Sequence, residues 1–183
     1  MNSQFASRRV SLFLARFRRA EKGATAVEFA LIAAPFFFLL FAMLEITLVF
    51  FVSITVEHAT MEAARNIRTG EAQTAGLSAG DFLAEVCSEM NALIPCAGNV
   101  YIDVRTFEDF DAVDMTSPID NEELDNGSFS YNAGEAGDIV VVQVFYVWQL
   151  NTPMISTVFA NLSGNRRLLT ATAAFRNEPF GEI

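Results

Sequence analysis

Apolar residues are distributed very unevenly along this chain. Residues 24–56 form a run of 33 positions in which only Glu28 and Glu45 are charged, and seven of the 18 phenylalanines fall inside it. A bilayer core of ~30 Å is crossed by ~20 helical residues. Residues 29–44 alone give 16 uncharged positions, and residues 46–52 add seven more beyond Glu45. That length predicts a membrane-spanning helix rather than the buried helix of a soluble domain. The run is also longer than the 7–15-residue core of a removable secretory signal. Its far boundary, Thr55-Val56-Glu57-His58, lacks the small residues of a signal cleavage site. Helical character continues past the run: Arg65 and Arg68 suit the negative end of the helix dipole, and Gly70 offers a cap. A helix from Ala24 to Thr69 has 46 residues, or ~69 Å at ~1.5 Å per residue.

Beyond the helix the pattern changes. Residues 71–78 are small and polar and read as a linker. Residues 80–93 place Phe82, Leu83, Val86, Met90 and Leu93 towards one side of a short amphipathic helix. Residues 99–107 alternate Val100, Ile102 and Val104 against Tyr101 and Asp103, a strand pattern. Residues 138–149 are almost wholly β-branched or aromatic from Ile139 to Trp148, the strongest strand signal in the chain. A further short helix is expected over 152–162 and a last strand over 167–176. The expected fold is α+β: a long N-terminal helix carrying a head of helix and antiparallel sheet.

Charge divides the chain along the same lines. Residues 1–23 carry six bases (Arg8, Arg9, Arg16, Arg18, Arg19, Lys22) against Glu21, whereas the remaining 160 residues hold six bases and 21 acids. The overall −10 is therefore the sum of +5 and −15. The positive-inside rule places such a leader in the cytoplasm and the acidic bulk outside. The expected organisation is a basic cytoplasmic leader (1–23), a transmembrane and extended spine helix (24–70) and an outside domain (71–183). A surplus of acids argues against nucleic acid as partner, because phosphates demand clustered Lys and Arg.

The junction of leader and helix reads Lys22-Gly23-Ala24-Thr25-Ala26-Val27-Glu28-Phe29. A carboxylate in an apolar membrane helix costs ~2.5–3.5 kcal/mol at the centre and less near an end, so Glu28 needs compensation. Cutting after Gly23 would give Ala24 a free amine with a pKa near ~8, a cation able to pair with Glu28 of a neighbouring helix. This arrangement resembles type IV prepilins and pseudopilins. With Pro35, Glu45 and the run Ala63-Ala64-Arg65 through Gly70, it resembles the TadE-like family of the tight-adherence (Flp) pilus system; the ending from Phe175 to Phe180 is also similar. The resemblance implies cleavage between Gly23 and Ala24 by a prepilin peptidase, and a processing and assembly role for Glu28 and Phe29. It further implies a bacterial inner-membrane location with a periplasmic head, and as partners the lipid bilayer, other pilins and pseudopilins, and a pilus assembly platform. The alternatives are an uncleaved single-pass protein with a periplasmic binding domain, and a pseudopilin of a secretion system.

Ala26, Ala30 and Ala34 recur every four residues, a small-residue face where a second helix can approach closely. Ala is also simply frequent in membrane helices. Pro35 lacks an N–H and crowds the Leu31 carbonyl, so a kink is expected there. Glu45 lies 17 residues after Glu28, ~100° round the helix, and reads as either an outer-boundary residue or a partner contact. Cys87 and Cys96 enclose eight residues; with the head expected outside, in an oxidising compartment, they are expected to close a disulfide, the alternative being buried thiols in a reducing one. Residues 108–125 hold eight acids and no base and read as a solvated, mobile loop. Asp109, Asp111 and Asp114 bring carboxylates together there but fail the calcium-loop pattern. His58 is the single imidazole, and no nucleophile–base pair, phosphate loop or zinc spacing accompanies it. The expectation is a structural or assembly subunit, not an enzyme, with no cofactor and no small-molecule substrate.

Overall fold

The computed structural model describes residues 23–90, 94–113, 115–152 and 154–181. The leader before Gly23, Leu93 of the expected amphipathic helix and Asp114 of the acidic run lie outside the described residues. The element order is α1 (Ala24–Arg68), α2 (Glu71–Ala75), α3 (Ala79–Glu89), β1 (Val100–Phe107), a 3₁₀ turn (Phe110–Ala112), β2 (Ile119–Asp120), β3 (Glu123–Leu124), β4 (Ile139–Gln149), α4 (Ile155–Phe159) and β5 (Arg166–Arg176). This is the expected α+β, pilin-like arrangement of a long apolar N-terminal helix with a small helical and antiparallel-sheet head. The chain divides into two compact units inside α1, between Met43 and Leu44.

In the first unit the helix runs unbroken through Pro35. Its described side chains are almost all exposed, and Phe37 stacks on Phe41 one turn along.

In the second unit, α1 buries one stripe. Val52, Val56, Ala59, Ala63 and Ile67 are each almost fully covered, at the three-and-four spacing of a single helix face. Thr60 joins them by donating its hydroxyl to the Val56 carbonyl at 2.7 Å. The helix stops at Gly70, whose φ of +82° is a left-handed conformation that L side chains rarely adopt. A Cβ there would lie 2.3 Å from the Phe180 ring. The chain past β5 thus folds back over the end of α1. Glu178 N donates to the Arg68 carbonyl at 2.9 Å, and its carboxylate pairs with Arg68 at 3.4 Å.

The segment expected as a linker is corrected in the structure. Residues 71–75 form α2, with Ala72 buried and Leu77 packed on the core. Helix α3 opens on a capping box: Ser78 accepts from Asp81 N while the Asp81 carboxylate accepts from Ser78 N at 3.0 Å. Hydrogen bonds from the Ser78 hydroxyl and backbone hold the Asp81 carboxyl below its usual range. Phe82 and Val86 of α3 are completely buried, with the Phe82 ring 5.6 Å from that of Tyr131.

The sheet has the order β1-β4-β5, antiparallel throughout, with Val100 opposite Tyr146 and Gln149 opposite Arg166. Alternation along β4 sends Val140, Val142, Val144 and Tyr146 to the face shared with α1 and α3. Phe145 points to the other face, where its ring stacks on Phe129 at 5.0 Å. Burial raises the pKa of the Tyr146 hydroxyl, which donates to the Pro95 carbonyl at 3.1 Å.

Two further expectations are revised. The acidic run is not one uninterrupted loop. It contains the 3₁₀ turn and the β2–β3 hairpin, because Ile119 and Leu124 among the acids pack on the cluster of Phe145, Leu162 and Leu168. Glu123 pairs with Arg166 at 2.8 Å and accepts from Ser163. The helix expected over 152–162 is only Ile155–Phe159, because Leu162 bridges to Arg166 across a turn made by Gly164 and Asn165, both with positive φ. Cys87 and Cys96 are joined in a disulfide with Cα atoms 5.8 Å apart. Replacing both by Ser is expected to cost about 2–3 kcal/mol, as for other small closed loops. The shift of the urea midpoint of the detergent-solubilised chain measures it.

Candidate functional site

The residues singled out at the start of α1 lie along its first exposed turns. Gly23 immediately precedes the helix, Ala24 is its first residue, and Glu28 lies four positions later. Positions four apart sit one above the other on a helix, so position 28 shares a face with position 24. Phe29 is 70% exposed, and Ala26, Ala30, Ala34 and Pro35 are exposed as well. Among the described residues Glu28 has no ion-pair partner. Leu31, Ile32, Phe36, Leu39 and Phe41 are exposed around the same helix. A helix that is apolar on all sides needs an apolar surrounding. Helix α1 is the one described helix long and apolar enough to cross a membrane.

Glu45 is the site residue whose environment the sequence did not reveal. It is 6% exposed. One carboxylate oxygen accepts from the backbone N–H of Asn151, and the other accepts from that of Thr152 at 2.8 Å. These donors are in the link from β4 to α4. A retrievable signal existed: the stripe at 52, 56, 59 and 63, extended back through Val49, lands on position 45. The angle between Glu28 and Glu45 does not show it.

Asp109 and Asp111 are exposed, and among the described residues no group of three His, Cys, Asp or Glu side chains is placed to hold a metal ion. His58 and Glu57 lie exposed on α1. Burial, and then the charges of Glu85 and Asp81, raise the Tyr131 pKa.

Residues 23–65 match the model for the TadE-like protein family. The TadE-like match begins at Gly23 and takes in Glu28, Phe29, Pro35, Glu45 and the run Ala63-Ala64-Arg65. It bears out the resemblance over that segment and links the segment to a pilus-associated family. The sheet and α2–α4 lie outside the TadE-like region. No curated protein and no solved structure matches the chain.

Proposed function

We propose that this chain is a TadE-like minor pilin or pseudopilin of a tight-adherence pilus, inserted with its leader in the cytoplasm and cut between Gly23 and Ala24. The observation that carries the reading is the TadE-like match from Gly23 to Arg65 on a helix whose first part, up to Phe41, exposes apolar side chains around its whole surface. The role is structural. After cleavage the new amine of Ala24 and the Glu28 carboxylate of a neighbouring subunit pair, and the Ala26, Ala30 and Ala34 face lets helices approach. The Cys87–Cys96 disulfide supports an oxidising location for the head, and the excess of bases before Gly23 supports the orientation. The partners are the bilayer, a prepilin peptidase, other pilins and the assembly platform.

The test is a Glu28→Ala strain. Processing is expected to continue while piliation falls to the level of a deletion of this chain, as counted by electron microscopy of the cells. Normal piliation in that strain would reject the pairing role. A deletion that spares pili but blocks protein secretion would move the chain to a secretion-system pseudopilin.

A further inference from the structure

Beside Glu45 the second unit contains a cavity of about 110 Å³, lined mainly by apolar side chains of α1, α4 and β5, among them Ile46, Phe50, Ile155 and Phe159. Two charged groups, Glu45 and Arg167, also line it. Among the described residues they form no ion pair with each other or with any other side chain. The neighbouring Arg166, by contrast, is paired to Glu123. Arg167 donates from Nη1 to the Phe159 carbonyl at 2.7 Å, and its guanidinium carbon lies 5.8 Å from the centre of the Phe159 ring. Its Nε is buried and has no acceptor among the described residues. A buried, unpaired donor on a permanent cation is costly to leave unmade, and an anionic oxygen is the group that would satisfy it.

The surroundings indicate what carries that oxygen. Glu45 comes directly after the uncharged run 29–44, so the cavity lies at the outer end of the apolar segment in the sequence. Next to it Phe50 and Ile54 of α1 and Met154 and Val158 at α4 are exposed. The cavity has room for a polar group of several non-hydrogen atoms but not for long apolar chains. Long apolar chains attached to that group would lie outside it. Glu45 makes the lining neutral overall, which disfavours a simple anion. Opposite charges set apart in an apolar wall are complementary to a zwitterion.

We infer that this cavity seats the headgroup of an amine-bearing phospholipid, with its phosphate on Arg167 and its ammonium towards Glu45. The inference rests on the membrane-spanning reading of α1 and deepens it by naming a lipid class and the residues that select it. The seated lipid would fix the depth at which the head meets the bilayer.

The test uses the full chain, purified in detergent, delipidated and offered lipids of identical acyl chains in native mass spectrometry. Phosphatidylethanolamine is expected to be retained in preference to phosphatidylglycerol and to phosphate-free diacylglycerol. Losing a charge-assisted hydrogen bond is expected to reduce retention about tenfold in Arg167→Gln. Arg167→Lys should restore much of it, and Arg176→Gln, outside the cavity, should match wild type. Equal retention of diacylglycerol or phosphatidylglycerol, or undiminished binding by Arg167→Gln, would overturn the inference. An absence of any lipid adduct would do so too, and would leave a protein segment as the occupant. Alkaline carbonate extraction of the same cells separates the two levels. A chain released by carbonate fails the membrane reading itself, whereas a retained chain indifferent to lipid fails only the seat.

Discussion

A chain purified from its native host is expected to begin at Ala24, and the Gly23→Ala chain to begin at Met1. The physical case is that Gly23 has no packing role. A Cβ added there meets no atom of the described residues within 4 Å, and its φ lies outside the left-handed region. Ala at this position therefore leaves the described fold undisturbed, and loss of cleavage reports on recognition by the peptidase. Cleavage also changes the electrostatics at the helix start. It would remove a +5 segment and leave side chains summing to −15 with one new terminal cation. That cation stands one turn from Glu28, and opposite charges on adjacent turns or adjacent helices attract. Intact-mass measurement of the wild-type protein decides it, and a mature chain starting at Met1 would sink the processing claim.

The second large effect is expected at Glu45. Its two carboxylate oxygens serve the backbone N–H groups of Asn151 and Thr152. Glu45→Ala leaves both donors without acceptors, at about 1–3 kcal/mol for each buried group left unsatisfied. A combined loss of about 2–4 kcal/mol is expected, allowing for partial rescue by water. Glu45→Gln keeps one acceptor oxygen and should fall between Ala and wild type. Urea unfolding of the detergent-solubilised chain, tracked by the fluorescence of Trp148, measures the order of the three. Hydrogen exchange at the Asn151 and Thr152 amides should accelerate most in the Ala variant. Unchanged exchange at those two amides would contradict the role assigned to Glu45.

The strands and the long helix were legible because their signals are local. Ile139–Gln149 is dense in β-branched and aromatic residues, and α1 ends at Arg68, one residue short of the boundary expected from Arg65, Arg68 and Gly70. The resemblance carried by the junction from Gly23 to Phe29 was legible for the same reason, its residues lying within seven consecutive positions. Features held by distant parts of the chain were not. The acceptor role of Glu45 depends on two backbone amides 106 and 107 positions away, and backbone amides carry no residue-type signal. Strands β2 and β3 are two residues each, too short for alternation to register. A pair of isolated apolar residues, Ile119 and Leu124, folds their acidic segment, and the partners of that pair come from β4, β5 and the turn before β5.

The clasp of Phe180 over Gly70 imposes an order on biogenesis. The end of α1 emerges from the ribosome long before residues 178–180, yet the Glu178 hydrogen bond to Arg68 and the ring over Gly70 belong to the same finished end. The covered stripe from Val52 to Ile67 likewise waits for β4 and β5. Contacts of such long sequence separation form slowly. A nascent chain would therefore present this stripe incompletely covered until translation has passed residue 180. The interval is a natural point of engagement for chaperones and of attack by proteases. Truncations between residues 166 and 180 should be removed in the cell well before their helix is.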